Sequence, residues 1–169
     1  MEKIQMRAKC SNLGYNLSRM RIMILPPIVM LIFGVLMYVL AEFLPFGDFD
    51  FFGRKEFAVF LFGLGVLVMF LGLLQFILAR TTTNPINLKK TSFLVKKGIY
   101  KYTRNPMYLG MLLFLLALGL KLGNAFNTLL AVGFVYYMNH FQIKFEEKAL
   151  EELFGKEYRT YCKETRRWF

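Results

Sequence analysis

Two long apolar runs constrain the fold of this chain more than any other feature of its sequence. Residues 22–44 are apolar except for Glu42, and residues 57–79 are interrupted only by Gln75. An α-helix rises about 1.5 Å per residue, so each run is long enough to cross a hydrocarbon core of about 30 Å. Hydrophobic residues make up 56% of the chain, which is more than an ordinary soluble domain contains. The sequence therefore predicts a helical membrane protein.

Two further apolar segments complete the predicted fold. A third span is predicted at residues 106–120, and a tight turn through Gly123 and Asn124 leads to a fourth span that begins at residue 125. The helical pattern continues beyond it into a charged, amphipathic segment that ends at Gly155. The predicted fold class is thus all-α, a polytopic membrane protein with four transmembrane helices and a C-terminal amphipathic helix. Close approach of another helix is expected at three glycines of the second span: Gly63, Gly65 and Gly72.

The placement of charge predicts the topology. Residues 80–104 contain seven Lys or Arg residues and no acid, and residues 1–21 carry five bases against Glu2 alone. Because cytoplasmic loops are enriched in Lys and Arg, both segments are expected inside the inner (cytoplasmic) membrane, together with both termini. Lys and Arg outnumber Asp and Glu by 22 to 11, and their position beside apolar runs indicates anionic lipid headgroups rather than nucleic acid as partner.

The chain is expected to form a single membrane domain over residues 1–169. Residues 1–79 would supply the basic N-terminus and the first two spans, and residues 80–169 the basic loop, a helical hairpin and the C-terminal helix. No small-residue cleavage site closes the first apolar run, which indicates an uncleaved anchor. Cys10 and Cys162 both lie in segments predicted to be cytoplasmic, so no disulfide and no metal site is expected.

A polar, basic and aromatic stretch, LVKKGIYKYTRNPMYLG, lies between the second and third spans at residues 94–110. Pro106 is suited to the first position of a helix, where no backbone donor is needed. Arg104, Asn105 and Tyr108 would then lie at a helix N-terminus, whose free N–H groups and dipole favour an anion such as a carboxylate. The stretch could equally be a capped, positively charged entry into the membrane.

The hairpin of spans three and four should bring residues 140–147 back beside residues 104–108. Gln142 and Glu146 are spaced i, i+4 and share a helix face, and Glu147 lies on the adjacent stripe. Two interpretations of this polar cleft remain open. The acids could form a structural ion-pair network, or Glu146 could bind the ammonium of a zwitterion whose carboxylate sits at the helix N-terminus.

The run L-V-x-x-G-x-Y-x-x-x-R-N-P-x-Y, followed later by E-E-x-x-L and F-G-x-E-Y-x-x-Y, resembles the isoprenylcysteine carboxyl methyltransferases and their bacterial and phospholipid N-methyltransferase relatives. The resemblance covers the chain from Thr81 onward. It implies a membrane-embedded methyltransferase that uses S-adenosylmethionine, in a pocket facing the cytoplasm and without a Rossmann fold. The expected acceptor is a lipophilic or amphipathic molecule that arrives from the bilayer, such as an isoprenylcysteine-like carboxylate, a lipid amine or a thiol.

The resemblance also implies roles for individual residues. Arg104 and Gln142 would lie on the substrate side, although Gln142 stands where the eukaryotic members have an Arg and therefore lacks its fixed charge. Those members have His in place of Asn105. His140 and Glu147 are the nearby candidates for a general base if the acceptor must lose a proton. The cofactor would be bordered by Leu94, Val95, Tyr100, Asn105, Pro106, Met107, Tyr108 and Glu146, with Glu146 on its ammonium group.

Two rival functions remain at the level of sequence. Sterol reductases are similar to this family in their C-terminal half, so a membrane reductase is one alternative. A non-catalytic adaptor whose basic faces bind anionic lipid is the other.

Overall fold

The computed structural model describes residues 25–44, 47–78 and 94–169, apart from the side chain of Phe76. The predicted basic N-terminus and the first part of the basic loop, residues 80–93, lie outside the described residues. Within the described part the chain forms no strand, as the all-α prediction requires. The elements are α1 (Pro26–Phe43), α2 (Arg54–Leu78), a 3₁₀ turn (Gly98–Lys101), α3 (Pro106–Leu122), α4 (Asn127–Tyr137), a π-helix (Met138–Ile143), α5 (Lys144–Phe154) and α6 (Lys156–Glu164).

Helices α1 and α2 are long and apolar enough to cross a membrane. Pro26 and Pro27 occupy the first positions of α1, where a missing N–H costs nothing. Only 17% of the apolar window of α1 and 22% of that of α2 is buried within the molecule. Side chains such as Leu31 and Val59 are therefore exposed along their length. Such outward apolar faces are stable in lipid and unfavourable in water.

Helix α3 packs closely against α2 through glycines on both helices. A Cβ on Gly65 would lie 2.8 Å from the ring of Phe114 and 3.1 Å from the carbonyl oxygen of Gly110. A Cβ on Gly72 would lie 3.2 Å from the ring of Pro106. The predicted close approach is thus confirmed at Gly65 and Gly72. It is wrong for Gly63, which faces open space.

The connection between α1 and α2 meets the connection between α3 and α4 at one end of the helices. Gly123 ends α3 in the left-handed conformation, with φ +72°, and its carbonyl accepts a hydrogen bond of 2.9 Å from the Phe49 N–H. The side-chain amide of Asn124 donates to the Leu44 carbonyl at 2.7 Å. Since α2 and α3 run the length of the structure, the residues around the start of α3 lie at the opposite end.

The segment after the turn is helical from Asn127 to Phe154, as predicted, but its middle is a π-helix at Met138–Ile143. This wider turn was not predicted from the sequence. π-Helical turns inside α-helices are rare and frequently occur at functional sites. Met138 and Ile143 are fully buried in the core with Phe134 of α4. Gly155, with φ +53°, ends α5 and confirms the predicted cap.

Candidate active site

The carboxylate of Glu146 lies at the centre of a hydrogen-bonded cluster between α3 and α5. The Tyr108 hydroxyl, from the first turn of α3, donates to Glu146 Oε1 at 2.5 Å. Gln142 Nε2, one turn earlier on the same helical segment as Glu146, donates to the same oxygen at 2.6 Å. The predicted shared face of Gln142 and Glu146, and the return of the hairpin to the start of α3, are confirmed.

Glu146 is partly buried, and no hydrogen bond or ion pair among the described residues reaches its second oxygen, Oε2. Burial raises the pKa of Glu146 above its ordinary value, and nearby Glu147 adds to the increase. The hydrogen bonds from Tyr108 and Gln142 lower the pKa without offsetting the effect of burial. Within the described structure, Glu146 is therefore a desolvated carboxylate without a cationic partner.

Glu147, the next residue, has different surroundings. Arg167 donates to both of its oxygens, from Nε to Oε1 at 3.0 Å and from Nη2 to Oε2 at 2.6 Å. Arg104 Nη2 lies 3.2 Å from Glu147 Oε1. The ion-pair network considered for the two acids therefore exists, but among the described residues it contains Glu147 and not Glu146.

These contacts bear on the residues expected to bind substrate or to act as bases. Arg104 is paired with Glu147 and also contacts the thiol of Cys162. Gln142 is only 4% exposed, and its amide is used on Glu146. A role of Glu147 as a base would require at least one of its ion pairs to break. The substrate-binding and base roles stay predictions, and the structure gives each of these side chains another partner.

His140, the other predicted base, is exposed on the π-helix. Its Nδ1 lies 3.0 Å from the Tyr136 carbonyl oxygen, and its ring lies 4.2 Å from the Tyr136 ring, centroid to centroid. These contacts hold the ring against its own helix, and none of those described joins it to Glu146. Its catalytic role also stays a prediction.

The loop predicted to border the cofactor lies against the Glu146 cluster. Tyr100 is buried in the 3₁₀ turn, and its carbonyl accepts a hydrogen bond of 2.6 Å from the Tyr161 hydroxyl. Burial raises the pKa of the Tyr100 phenol, with smaller contributions from nearby Tyr161 and Glu146. Gly98, at φ +60°, leaves room for the side chain of Gln75, the one polar residue predicted in the second span. This contact fixes the loop to the end of α2.

The remaining predicted cofactor residues fall into two groups. Leu94 and Val95 are partly buried just before Lys96, which pairs with Glu157 of α6 at 2.6 Å. Pro106 and Met107 pack against Gly72 of α2. Pro106 and Met107 thus contribute to helix packing. The cofactor contacts of all four residues stay predictions.

Asn105 is the residue before the first turn of α3, with Pro106 at the first helical position as predicted. Its side chain makes no capping hydrogen bond; instead Nδ2 donates to the Arg167 carbonyl at 3.0 Å. The N–H groups at the start of α3 are therefore not satisfied by the Asn105 side chain. The side-chain amide of Asn105 is instead hydrogen-bonded to the C-terminal tail.

The C-terminal tail, residues 165–168, is the part of the site that sequence reasoning missed. The contacts of this tail with the rest of the protein were not predicted from the sequence. Arg167 pairs with Glu147, and Trp168 Nε1 donates to Asn139 Oδ1 at 3.0 Å. The one available signal was the presence of two arginines beside a tryptophan, which does not identify their partners.

Comparison with known proteins gives two informative relatives. A segment of 62 residues is 50% identical to an uncharacterised protein of Haemophilus influenzae, covering 37% of this chain and 98% of that protein. A segment of 74 residues is 36% identical to the protein-S-isoprenylcysteine O-methyltransferase of Schizosaccharomyces pombe, covering 44% of this chain. The match spans 31% of the length of that enzyme. No solved structure is significantly similar to the chain.

A model of the phospholipid methyltransferase family matches residues 53–157, a range that includes α2, α3, Tyr108, Gln142 and both acids. The name of the family and that of the yeast relative both point to methyl transfer. The two outward-facing apolar helices fit the membrane location of such enzymes. Because the match covers well over half of its residues, the chain belongs to the phospholipid methyltransferase family.

Proposed function

We propose that this protein is an S-adenosylmethionine-dependent methyltransferase that acts on a lipophilic or amphipathic acceptor drawn from the bilayer. Membership of the family and the similarity to a protein-S-isoprenylcysteine O-methyltransferase support the reaction class. The exposed apolar faces of α1 and α2 support an acceptor that approaches through lipid. An isoprenylcysteine-like carboxylate, a lipid amine and a lipophilic thiol all fit this class.

The observation that carries the proposal is the Oε2 atom of Glu146, which no hydrogen bond or ion pair from the described residues reaches. A desolvated carboxylate is stabilised by a cation, and S-adenosylmethionine carries an ammonium group on its methionine part. The donors present fit this group: Tyr108 and Gln142 hold Oε1 and leave Oε2 for a ligand. The uncapped N-terminus of α3 is suited to the carboxylate of the same zwitterion.

The bound cofactor would supply a methyl group activated by its sulfonium. Transfer to an acceptor in line with the departing sulfur depends mainly on positioning and on exclusion of water. Tyr108 joins the cluster to a buried apolar layer that includes Met111 and Leu112, which keeps water from that side. A carboxylate acceptor needs no base, whereas an amine or thiol acceptor must lose a proton, to His140 or to Glu147 after an ion pair opens.

We further propose that α1, α2, α3 and the segment from α4 through the π-helix are the four membrane spans. The connections around Gly53 and Gly123 would lie outside, and the Glu146 cluster, the basic loop and both termini on the cytoplasmic side. Exposed lysines near exposed aromatic residues at this end, such as Lys144 and Lys148 beside Phe141 and Phe145, suit anionic lipid headgroups.

The two adjacent acids allow a matched test of the cofactor site. We expect Glu146→Gln to weaken binding of S-adenosylhomocysteine roughly ten- to a hundredfold, since hydrogen bonds to charged groups contribute about 1.5 to 3 kcal/mol. Glu147→Gln removes the same charge one residue away but leaves the Glu146 carboxylate in place, so it should cost less affinity than Glu146→Gln. Calorimetric titration of the detergent-solubilised variants measures both. Equal affinities of the wild type and Glu146→Gln would refute the assignment, and failure of the wild type to bind would refute the proposed function.

A further inference from the structure

The C-terminal tail lies between the two parts of the chain that form the Glu146 cluster. On one side it contacts the residues that precede α3. The Arg167 carbonyl accepts hydrogen bonds from Thr103 Oγ1 at 3.3 Å and from Asn105 Nδ2 at 3.0 Å. The Arg166 carbonyl accepts one from the Arg104 N–H at 3.0 Å. The tail is thus joined to the segment that leads into Tyr108.

On its other side the tail contacts the π-helix and the first turn of α5. The Arg167 guanidinium makes a two-point pair with Glu147, whose side chain is 19% exposed. Trp168 donates from its indole N–H to Asn139, three residues before Gln142. Two-point guanidinium–carboxylate pairs fix orientation as well as contributing energy. The tail therefore restrains the helical segment that carries both Gln142 and Glu146.

None of the contacts described for the tail reaches Glu146 itself, so any influence on that carboxylate passes through its neighbours. Glu147 directly follows Glu146 in the chain, so the backbone couples the positions of the two side chains. A rotation of the first turn of α5 that released Glu147 from Arg167 would also turn Glu146 away from the Tyr108 hydroxyl. The distances that hold these residues are short, 2.6 Å for Arg167 to Glu147 and 2.5 Å for Tyr108 to Glu146.

We propose that Arg167 is a positioning residue of the cofactor site, which acts through Glu147 to hold the Glu146 carboxylate toward Tyr108. The inference rests on the proposed function, because it concerns affinity for the cofactor. It deepens that function by assigning a role to the tail, which lies beyond the part of the chain that the family model matches. Trp168 supports the same arrangement through Asn139.

Arg167 and Arg166 provide a matched pair of variants in the full-length protein. Arg167→Ala should weaken binding of S-adenosylhomocysteine roughly five- to twentyfold, whereas Arg166→Ala, which removes an exposed charge one residue away, should stay within about twofold. Arg167→Lys keeps the charge without the two-point geometry and should restore part of the affinity. Equal affinities of the wild type and Arg167→Ala would overturn the inference while leaving the proposed function in place.

A double variant separates positioning from a general loss of stability. If Arg167 acts through Glu147, the loss in Arg167→Ala with Glu147→Gln should be no larger than the greater of the two single losses. Losses that add would show that Arg167 acts by another route and would overturn the inference. Should Arg167→Ala fail to fold, Trp168→Phe tests the same tail. This change removes the N–H that donates to Asn139 and keeps an aromatic ring. Unchanged affinity for S-adenosylhomocysteine in Trp168→Phe would overturn the inference.

The fluorescence of Trp168, the single tryptophan of the chain, reports the position of the tail in the other variants. We expect Arg167→Ala to shift its emission toward that of an exposed indole and to weaken ligand binding in parallel. A shifted emission with full affinity would mean that the tail undocks without effect on the site, and would overturn the inference. Failure of the wild type to bind S-adenosylhomocysteine would overturn the proposed function and this inference with it.

Discussion

Two adjacent glutamates of the same helical turn have different partners in this structure. Glu147 is held by two guanidinium groups, whereas Glu146, among the residues that the structure describes, receives hydrogen bonds only from Tyr108 and Gln142. A side chain with compensated charge is suited to holding structure, and an uncompensated one is suited to binding a cation. The difference is fixed by which face of α5 each residue occupies.

Tyr108 should contribute to cofactor binding through Glu146. Tyr108→Phe removes the O–H that stabilises the charged carboxylate and should weaken binding of S-adenosylhomocysteine roughly three- to tenfold. Tyr136→Phe is the matched control, because Tyr136 is exposed on α4 and is 61% accessible. Calorimetry on both variants makes the comparison. An equal effect of the two changes would show that Tyr108 acts only as an apolar core residue.

The raised pKa of Glu146 predicts a pH dependence of ligand binding. The protonated acid cannot pair with an ammonium, so affinity for S-adenosylhomocysteine should increase as pH rises through the folded-state pKa of Glu146. The relevant neighbours are Tyr108 and Gln142, which favour the charged form, and Glu147, which opposes it. Calorimetric titrations across this range should lose the dependence in Glu146→Gln. The same dependence in that variant would place the titrating group elsewhere.

Stability without ligand should change with pH in the opposite direction. The folded-state pKa of Glu146 lies above its ordinary value of 4.5, so the folded protein retains a proton that the unfolded chain releases. This contribution to stability is fully present below the unfolded pKa and is lost as pH rises through the folded pKa. Thermal unfolding in detergent, compared between wild type and Glu146→Gln, measures it. A stability that rises with pH only in the wild type would contradict the direction.

At the level of helices, the contact between α2 and α3 depends on glycines that the sequence singled out only in part. Gly65→Ala should destabilise the protein by about 1 to 3 kcal/mol, because the added methyl group meets the Gly110 backbone. Gly63→Ala is the control two residues away. It faces open space and should be neutral or slightly stabilising, since alanine favours a helix by about 0.5 to 1 kcal/mol. Chemical or thermal unfolding measures both, and equal stabilities would rule out the close contact.

The π-helix illustrates how one element serves both the core and the site. Met138 and Ile143 face the core, while Asn139 and Gln142 bond to Trp168 and Glu146. These polar contacts occur within the same wide turn. The helical pattern in the sequence predicts the continuous helix, but it contains no signal for the local change in hydrogen bonding.

At the level of the whole molecule, the arrangement of the connections predicts a membrane topology. Reporter fusions within residues 80–104 should report the cytoplasmic side, because this loop has seven bases and no acid. Fusions after Gly53 and Gly123 should both report the opposite side, since the two connections meet at one end of the helices. An external signal from residues 80–104 would invert the topology. Different sides for Gly53 and Gly123 would contradict the proposed spans.

Features that depend on neighbouring residues could be predicted from the sequence. Apolar runs long enough for a bilayer predicted α1 and α2, Pro106 marked the start of α3, and Gly155 marked the end of α5. The i, i+4 spacing of Gln142 and Glu146 placed both on one face. These features follow from helix geometry and backbone conformation, which act over a few residues.

The partners of these residues, in contrast, depend on how distant segments pack together. The separation of Glu146 from the ion-pair network, the docking of Arg167 and the open surroundings of Gly63 depend on segments far apart in the chain. Asn105 and Arg167, for example, are 62 positions apart. Basic residues attract any nearby acid, and their charge alone does not select one. The selection requires the packing that brings the tail, the start of α3 and α5 together, because a hydrogen bond depends on distance and direction that composition does not specify.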